Sequence, residues 1–272
     1  MRIEISHSTH YRYDAPVAQS VQHLRLTPPS DTGQSVLDWH VETPGIEKAL
    51  SYTDAFGNVV HLITQGRIGD TMTITASGVV ETRDNHGVIG HLPEGMPARV
   101  YLRQNEMTRP SPAIRKLASI IERPDDVICY HALMNALRDQ VAYRTGVTET
   151  HMPAAEVLAA GEGVCQDHAH IFISAARHAG VPARYVSGYL LLEEDDDASE
   201  AHHAWAEVLI EPLGWVGFDV SNGISPTDHH VRLSVGLDSR SAAPIRGVRW
   251  GGMEEALSVE VRVDRAAQQQ QQ

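Results

Sequence analysis

Two cysteines in 272 residues, Cys129 and Cys165, are too few for a disulfide framework, and no CxxC spacing offers a thiolate metal site. Any chemistry at sulfur therefore belongs to one thiol acting alone. Long apolar runs are missing too. No segment approaches about 18 uncharged apolar residues, and the opening MRIEISHSTHYRYDAP mixes charges and aromatics where a secretory leader needs an unbroken apolar stretch. These absences lead to the expectation of a cytoplasmic protein with no membrane partner. Basic residues are outnumbered, 22 Lys and Arg against 35 Asp and Glu, for a net charge of −13. That balance works against nucleic acid as a main partner. Apolar residues at 42% and charged residues at 21% are ordinary for a folded chain and exclude wholesale disorder. The unusual abundance is histidine, at 16 residues, which calls for a metal or a catalytic reading to be tested.

Up to about Arg83 the pattern is that of short strands and turns. Ile3, Ile5 and residues 9–13, then 59–64 and 71–80, favour extended structure, and Asp54-Ala-Phe-Gly-Asn58 supplies a turn. An all-β, sandwich-like unit with a linker over 1–108 is expected. After Pro112 the period becomes helical. A first helix buries Ile114, Leu117, Ile120 and Ile121, a second runs roughly from Asp125 to Tyr143, and a short third spans Pro153 to Ala160 before Gly161. A fourth starts near Cys165 and stops before Gly180, with Ala169, Phe172, Ile173 and Ala176 as its apolar stripe. Strands follow at about 183–192, 203–210 and 215–220. Helices first and antiparallel strands afterwards describe an α+β domain, assigned to 109–264 with its C-terminal strands. The acidic stretch 193–200, EEDDDASE, reads as a solvated loop, and 265–272, ending in five glutamines, as a disordered tail.

The chemistry centres on Gly161-Glu-Gly-Val-Cys165, a glycine-rich approach to a helix that opens on a cysteine. Unsatisfied amides and the positive dipole end favour an anion there, so the thiol is inclined to ionise. By itself such a cysteine is more often a packed small hydrophobe. The segment from His203 to Asp219 alters the balance. Alternation puts Ala204, Ala206, Val208, Val216, Phe218 and Val220 on one face, and His203, Trp205, Glu207, Trp215, Gly217 and Asp219 on the other. A hairpin turning at Glu211 sets His203 directly opposite Asp219, where a carboxylate can hold an imidazole N–H. These parts suit acyl transfer through a thioester, with Cys165 as nucleophile, His203 as base and then acid, and Asp219 fixing the tautomer. The Cys165 amide is a candidate oxyanion donor, with Tyr143 as a possible second.

The strings Gly-Val-Cys165-Gln-Asp, Gly180-Val-Pro-Ala-Arg-Tyr-Val-Ser-Gly-Tyr189, His203-Ala-Trp205 and Gly214-Trp-Val-Gly-Phe-Asp219 closely resemble the bacterial transglutaminase-like proteins. Tyr11-Arg-Tyr13 and Asp54-Ala-Phe-Gly-Asn58 resemble that family's N-terminal β domain, and Val235-Gly236 with Pro244-Ile-Arg-Gly247 its C-terminal part. The resemblance implies a papain-like α+β core bearing Cys165, His203 and Asp219 as the catalytic residues, with no cofactor. It departs at His168, where the family usually has an aromatic, at Val220, where it has proline, and at Ser239, where a tyrosine is common.

Three other readings compete. In a zinc hydrolase, His168-x-His170, His202-His203 and His229-His230 would supply imidazoles, but adjacent histidines on a strand point to opposite faces, so no metal is expected. A catalytically silent peptide-binding module keeps the fold without the chemistry. Within catalysis, the substrate is a peptide or protein carboxamide. The acceptor is either a primary amine, giving transfer, or water, giving an amidase or peptidase. Oligomeric state is not encoded in any recognisable pattern.

Overall fold

The structure, a computed structural model, describes residues 1–92, 96–146, 152–192, 201–252 and 254–266. The acidic stretch 193–200 and the terminal glutamines lie outside the described residues.

Alternating burial shapes the N-terminal part. β1 (Arg2–Tyr13) turns Ile3, Ile5, His7, Thr9, Tyr11 and Tyr13 inward at every second position. It is followed by β2 (Val17–Thr27), β3 (Gln34–Glu42), β4 (Leu50–Thr53), β5 (Val59–Ile68) and β6 (Thr71–Thr82). The Asp54–Asn58 turn joins β4 to β5 through Gly57, whose φ of 89° suits only a residue without Cβ. Asp54 Oδ1 accepts the amides of Phe56 and Asn58, as expected of an aspartate opening a turn.

The chain then enters the second layer through β7 (Val88–Gly90). Helix α1 (Pro112–Ala118) is capped by Ser111 and has proline in its first turn, and α2 (Val127–Arg138) is capped by Asp126. α2 ends five residues before Tyr143, because Ala142–Tyr143 forms a short strand, β8, instead of a last helical turn. After α3 (Ala154–Ala160), Gly161 adopts a left-handed conformation and β9 (Glu162–Gly163) pairs in parallel with β8. α4 (Cys165–His178) leads into β10 (Ala183–Leu190), β11 (His202–Ile210), β12 (Gly214–Phe218) and β13 (His230–Gly236). These form an antiparallel sheet in the order β13-β10-β11-β12-β7.

α4 is buried on every side from Asp167 to Arg177, so the apolar stripe read from the sequence understates its burial. Several of its polar residues have partners, although His170 Nδ1 is buried without one. The Arg177 guanidinium, for example, donates to the carbonyls of Tyr101, Arg103, Ala183 and Leu237 and to the Thr108 hydroxyl. Ile114, Leu117, Tyr130, Leu133, Leu137 and Val157 from α1, α2 and α3 thus condense around α4, with Ala204, Ala206, Val208, Val216, Phe218 and Val220 closing the cluster from the sheet.

The C-terminal strands depart from the sequence expectation. β14 (Ile245–Gly251) and β15 (Glu255–Arg265) do not extend the α+β layer; they return to the sandwich, β14 beside β2 and β15 beside β1. The sandwich sheets therefore run β15-β1-β6-β3 and β14-β2-β5-β4. Arg265, expected in the tail, pairs with Ile3. Both strands lie mostly exposed at sheet edges; β15 does alternate, with Leu257, Val259, Val261 and Val263 at every second position, but a local pattern does not say which sheet a strand joins.

Side-chain amides join the two layers. β13 is an edge strand, and an edge leaves backbone groups unpaired. Asn58 donates to the Val235 carbonyl and accepts the Val235 amide, both at 2.8 Å. Gln34 does the same for Arg232, at 2.9 and 2.8 Å. Tyr189, Leu191, Val231 and Leu233 extend the sandwich core across the same boundary.

Candidate active site

Cys165 opens α4, preceded by the extended residue Val164, whose amide donates to the Asp167 carboxylate at 3.0 Å. This carboxylate fixes the entry to the helix one turn beneath the sulfur. Cys165 is partly exposed whereas Cys129 is buried in α2, so one thiol of the two faces solvent at a helix N-terminus.

His203 stands near the start of β11 and is 3% exposed. Its Nε2 lies 2.8 Å from Asp219 Oδ2, and the Cys165 side chain is near enough to act on the imidazole. Nε2 faces the carboxylate, which leaves Nδ1 for the sulfur. Burial pulls the His203 pKa down, but the Asp219 charge and hydrogen bond, helped by Cys165, outweigh it and raise the value to about 10. Asp219 is completely buried, and despite the burial penalty His203 and His230 hold its carboxyl well below the usual carboxylate range. A protonated imidazole oriented by a carboxylate can stabilise a neighbouring anion.

The hairpin reaches this result in a different register. β11 and β12 pair Ala206 with Phe218 and Ile210 with Gly214, so the turn centres on Pro212 and His203 is not directly opposite Asp219. The difference is two residues, which preserves the facing of every side chain. Asp219 lies just beyond β12, held by a backbone bridge to Ile224, and reaches His203 diagonally.

Several neighbours went unrecognised in the sequence. Asn222 donates to Asp219 Oδ2 at 2.6 Å, and its amide lies 3.3 Å from Oδ1. His230, at the start of β13, places Nε2 3.1 Å from the same Oδ2. The pair His229-His230 was a visible signal, but only as a metal candidate. Trp205 stacks near His203 at 6.4 Å and meets His230 edge-on at 5.5 Å between ring centroids. Gly188, across from His203 in β10, makes room for that indole: a Cβ there would lie 2.6 Å from the ring and 2.3 Å from the Val231 carbonyl. Beyond Trp205, buried Glu207 pairs with Arg184 at 2.6 Å and with Arg232 at 3.0 Å.

Three other histidines that the sequence singled out have partners elsewhere. His168 Nε2 meets the Val141 carbonyl at 3.1 Å, so it carries the proton and Nδ1 accepts from Ser221 at 3.0 Å. Burial lowers its pKa despite the Val141 contact and nearby carboxylates. His168 is thereby a neutral bridging residue. His170 accepts the Ser239 amide, and His202 contacts Ser187. Among the described residues, the donor atoms of His203, Asp219 and His230 converge closely enough to hold a metal ion, all within 4.8 Å of one another. The hydrogen bonds of the two imidazoles to Oδ2 already account for that convergence.

Tyr143 is exposed on β8, paired with Gly163 two residues before Cys165, and its ring lies 6.1 Å from that of His168. With His168, Ser221 and Arg138 it lines a cleft of about 340 Å³. A larger cavity of about 540 Å³ lies apart from Cys165, His203 and Asp219, at the open edge of the sandwich between β1, β14 and β15, with His202 in its lining.

A family model described as the transglutaminase-like superfamily matches residues 119–220, and one described as the bacterial transglutaminase-like N-terminal region matches 3–81. An uncharacterized protein of Mycobacterium leprae is 30% identical over 281 residues, covering 98% of this chain and 99% of that protein. An uncharacterized protein of Mycobacterium bovis is 26% identical, covering 97% and 92%. Among solved structures, one from Cytophaga hutchinsonii, described as a "putative cysteine protease", has the same fold. Its TM-score is 0.75 at 21% identity, over 97% of this chain and 90% of that one.

Proposed function

The chain belongs to the transglutaminase-like superfamily, with the bacterial transglutaminase-like N-terminal region, and on that premise we propose that it performs cysteine-dependent acyl transfer or hydrolysis on a peptide or protein carboxamide. The observation that carries the reading is His203, bonded to Asp219 at 2.8 Å and near enough to Cys165 for that side chain to help raise its pKa. The Cys165 thiolate attacks the carboxamide carbonyl and forms a C–S bond. The tetrahedral oxyanion collapses, the C–N bond breaks, and His203 gives its proton to the departing amine. A primary amine or water then attacks the thioester and loses a proton to His203, and the Cys165 thiolate leaves. Asp219 stays ionised throughout and holds His203 in orientation. The Cys165 amide is the first oxyanion donor and Tyr143 the proposed second; Tyr143→Phe then lowers kcat about 100-fold or more at constant KM. The residues use no metal or cofactor in this scheme.

The test is incubation with a glutamine-containing peptide, with and without a labelled primary amine. Amine incorporation by the wild type identifies transfer; ammonia or peptide release without incorporation identifies hydrolysis. Cys165→Ala and His203→Ala abolish either activity, and Asp219→Ala leaves a weak remainder. Activity undiminished in Cys165→Ala refutes the proposal.

A further inference from the structure

Asp219 serves two imidazoles, and the scheme above employs one of them. The second, His230, has its tautomer set by its surroundings. The Thr227 amide donates to Nδ1 at 3.1 Å, so the ring proton sits on Nε2, which faces Asp219 Oδ2 at 3.1 Å. The same oxygen receives His203 Nε2 at 2.8 Å and Asn222 Nδ2 at 2.6 Å. The other oxygen meets the Asn222 amide at 3.3 Å.

We propose that His230 is a positioning residue: its Nε2–H fixes the rotation of the Asp219 carboxylate and so the orientation in which His203 meets Cys165. The inference rests on the triad reading above. Three donors converge on one carboxylate oxygen from β11, β13 and the turn after Asp219, and together they leave that side chain a single rotamer. Removing the donor from β13 frees the carboxylate to turn about its Cβ–Cγ bond, and the contact to His203 weakens. His230 is itself immobilised, 6% exposed, between the Thr227 amide and the edge-on face of Trp205. Asp219 and His203 are the charged groups it meets directly. On its other side lie Asp31, Arg83, Glu207 and Arg232, with Glu207 and Asp31 both paired to Arg232. A buried imidazole held as a donor to an already bonded carboxylate adds geometric restriction rather than charge.

Iodoacetamide alkylation of Cys165, read by peptide mass spectrometry between pH 5 and 9.5, tests this without knowledge of the substrate. In the wild type, Cys165 reacts at pH 5.5 much faster than a free thiol of pKa about 8.5. His230→Leu slows the reaction about tenfold at pH 5.5, because the thiolate–imidazolium pair forms at higher pH, and leaves it unchanged at pH 9.5, where any thiol is ionised. His230→Gln, which keeps an N–H at similar reach, stays within about threefold of wild type. Loss at low pH with full reactivity at high pH separates positioning from misfolding. The inference is overturned if His230→Leu labels like wild type at pH 5.5, or if Gln is as slow as Leu. Stoichiometric metal that a chelator strips from the wild type also overturns it, since the same atoms would then be ligands. A wild-type Cys165 no faster than a free thiol overturns the triad reading and this inference with it.

Discussion

Replacing Asp219 by Asn removes the charge that keeps His203 protonated while preserving the shape of the side chain. In the wild type the His203 pKa is raised from 6.5 to about 10, against burial that acts in the opposite direction. Returning it to 6.5 is worth roughly 5 kcal/mol at about 1.36 kcal/mol per pH unit, and with Asp219 gone the burial penalty pushes it lower still. Proton NMR of the His203 ring carbon hydrogens reads the outcome. The wild-type ring stays charged to near pH 10, and the Asp219→Asn ring titrates below 6.5. The same linkage appears in stability. A group whose folded pKa lies above its unfolded value stabilises fully below the unfolded one and loses that contribution as pH rises through the folded one. Urea unfolding of the wild type should therefore show a loss between pH 6.5 and 10 that the variant lacks. A wild-type His203 titrating near 6.5, or a variant with an unchanged titration, refutes the electrostatic argument.

Acid should weaken the fold through its buried histidines. Burial lowers the pKa of His7 to about 3 and that of His170 to about 4, so the unfolded chain binds protons at these sites from pH 6.5 downward and the folded chain does not. Stability falls by roughly 2 kcal/mol per histidine at pH 5 relative to pH 7.5, measurable by urea titration. Substitution of both by Gln should reduce that slope, leaving the part due to His202, whose pKa burial lowers to about 4. Asn58→Ala strips a donor and an acceptor from the buried edge at Val235 and should cost about 3 kcal/mol in urea unfolding. A cost below about 0.5 kcal/mol would show that the amide bridges do not couple the sandwich to β13.

The α+β class and the strands from 183 to 218 were legible because period and turn chemistry agree there with tertiary packing. The limits of that legibility are instructive. β14 and β15 lie exposed at sheet edges, and nothing local records that Ile245 and Arg265 pair with Leu24 and Ile3. Asn58 reads as the end of a turn, which it is, but its amide also binds β13, 177 residues away. The hairpin register was misjudged by two residues with the site's facing intact, since side-chain direction depends only on parity. His230 and Asn222 were missed because a polar residue near a strand end has no signature until its partner is known.

The sequence by itself determined which residue types stand at which local positions: a thiol at a helix start, an imidazole and a carboxylate on the same side of one hairpin, and inward-facing side chains at alternate positions of β1. Those are consequences of backbone periodicity and capping, which act over a few residues. Tertiary structure alone decided which groups meet Asp219, which histidines are neutral bridges, and where the last two strands pair. Hydrogen-bond partners and desolvation depend on distances between segments far apart in the chain, and such distances exist only once the core has closed.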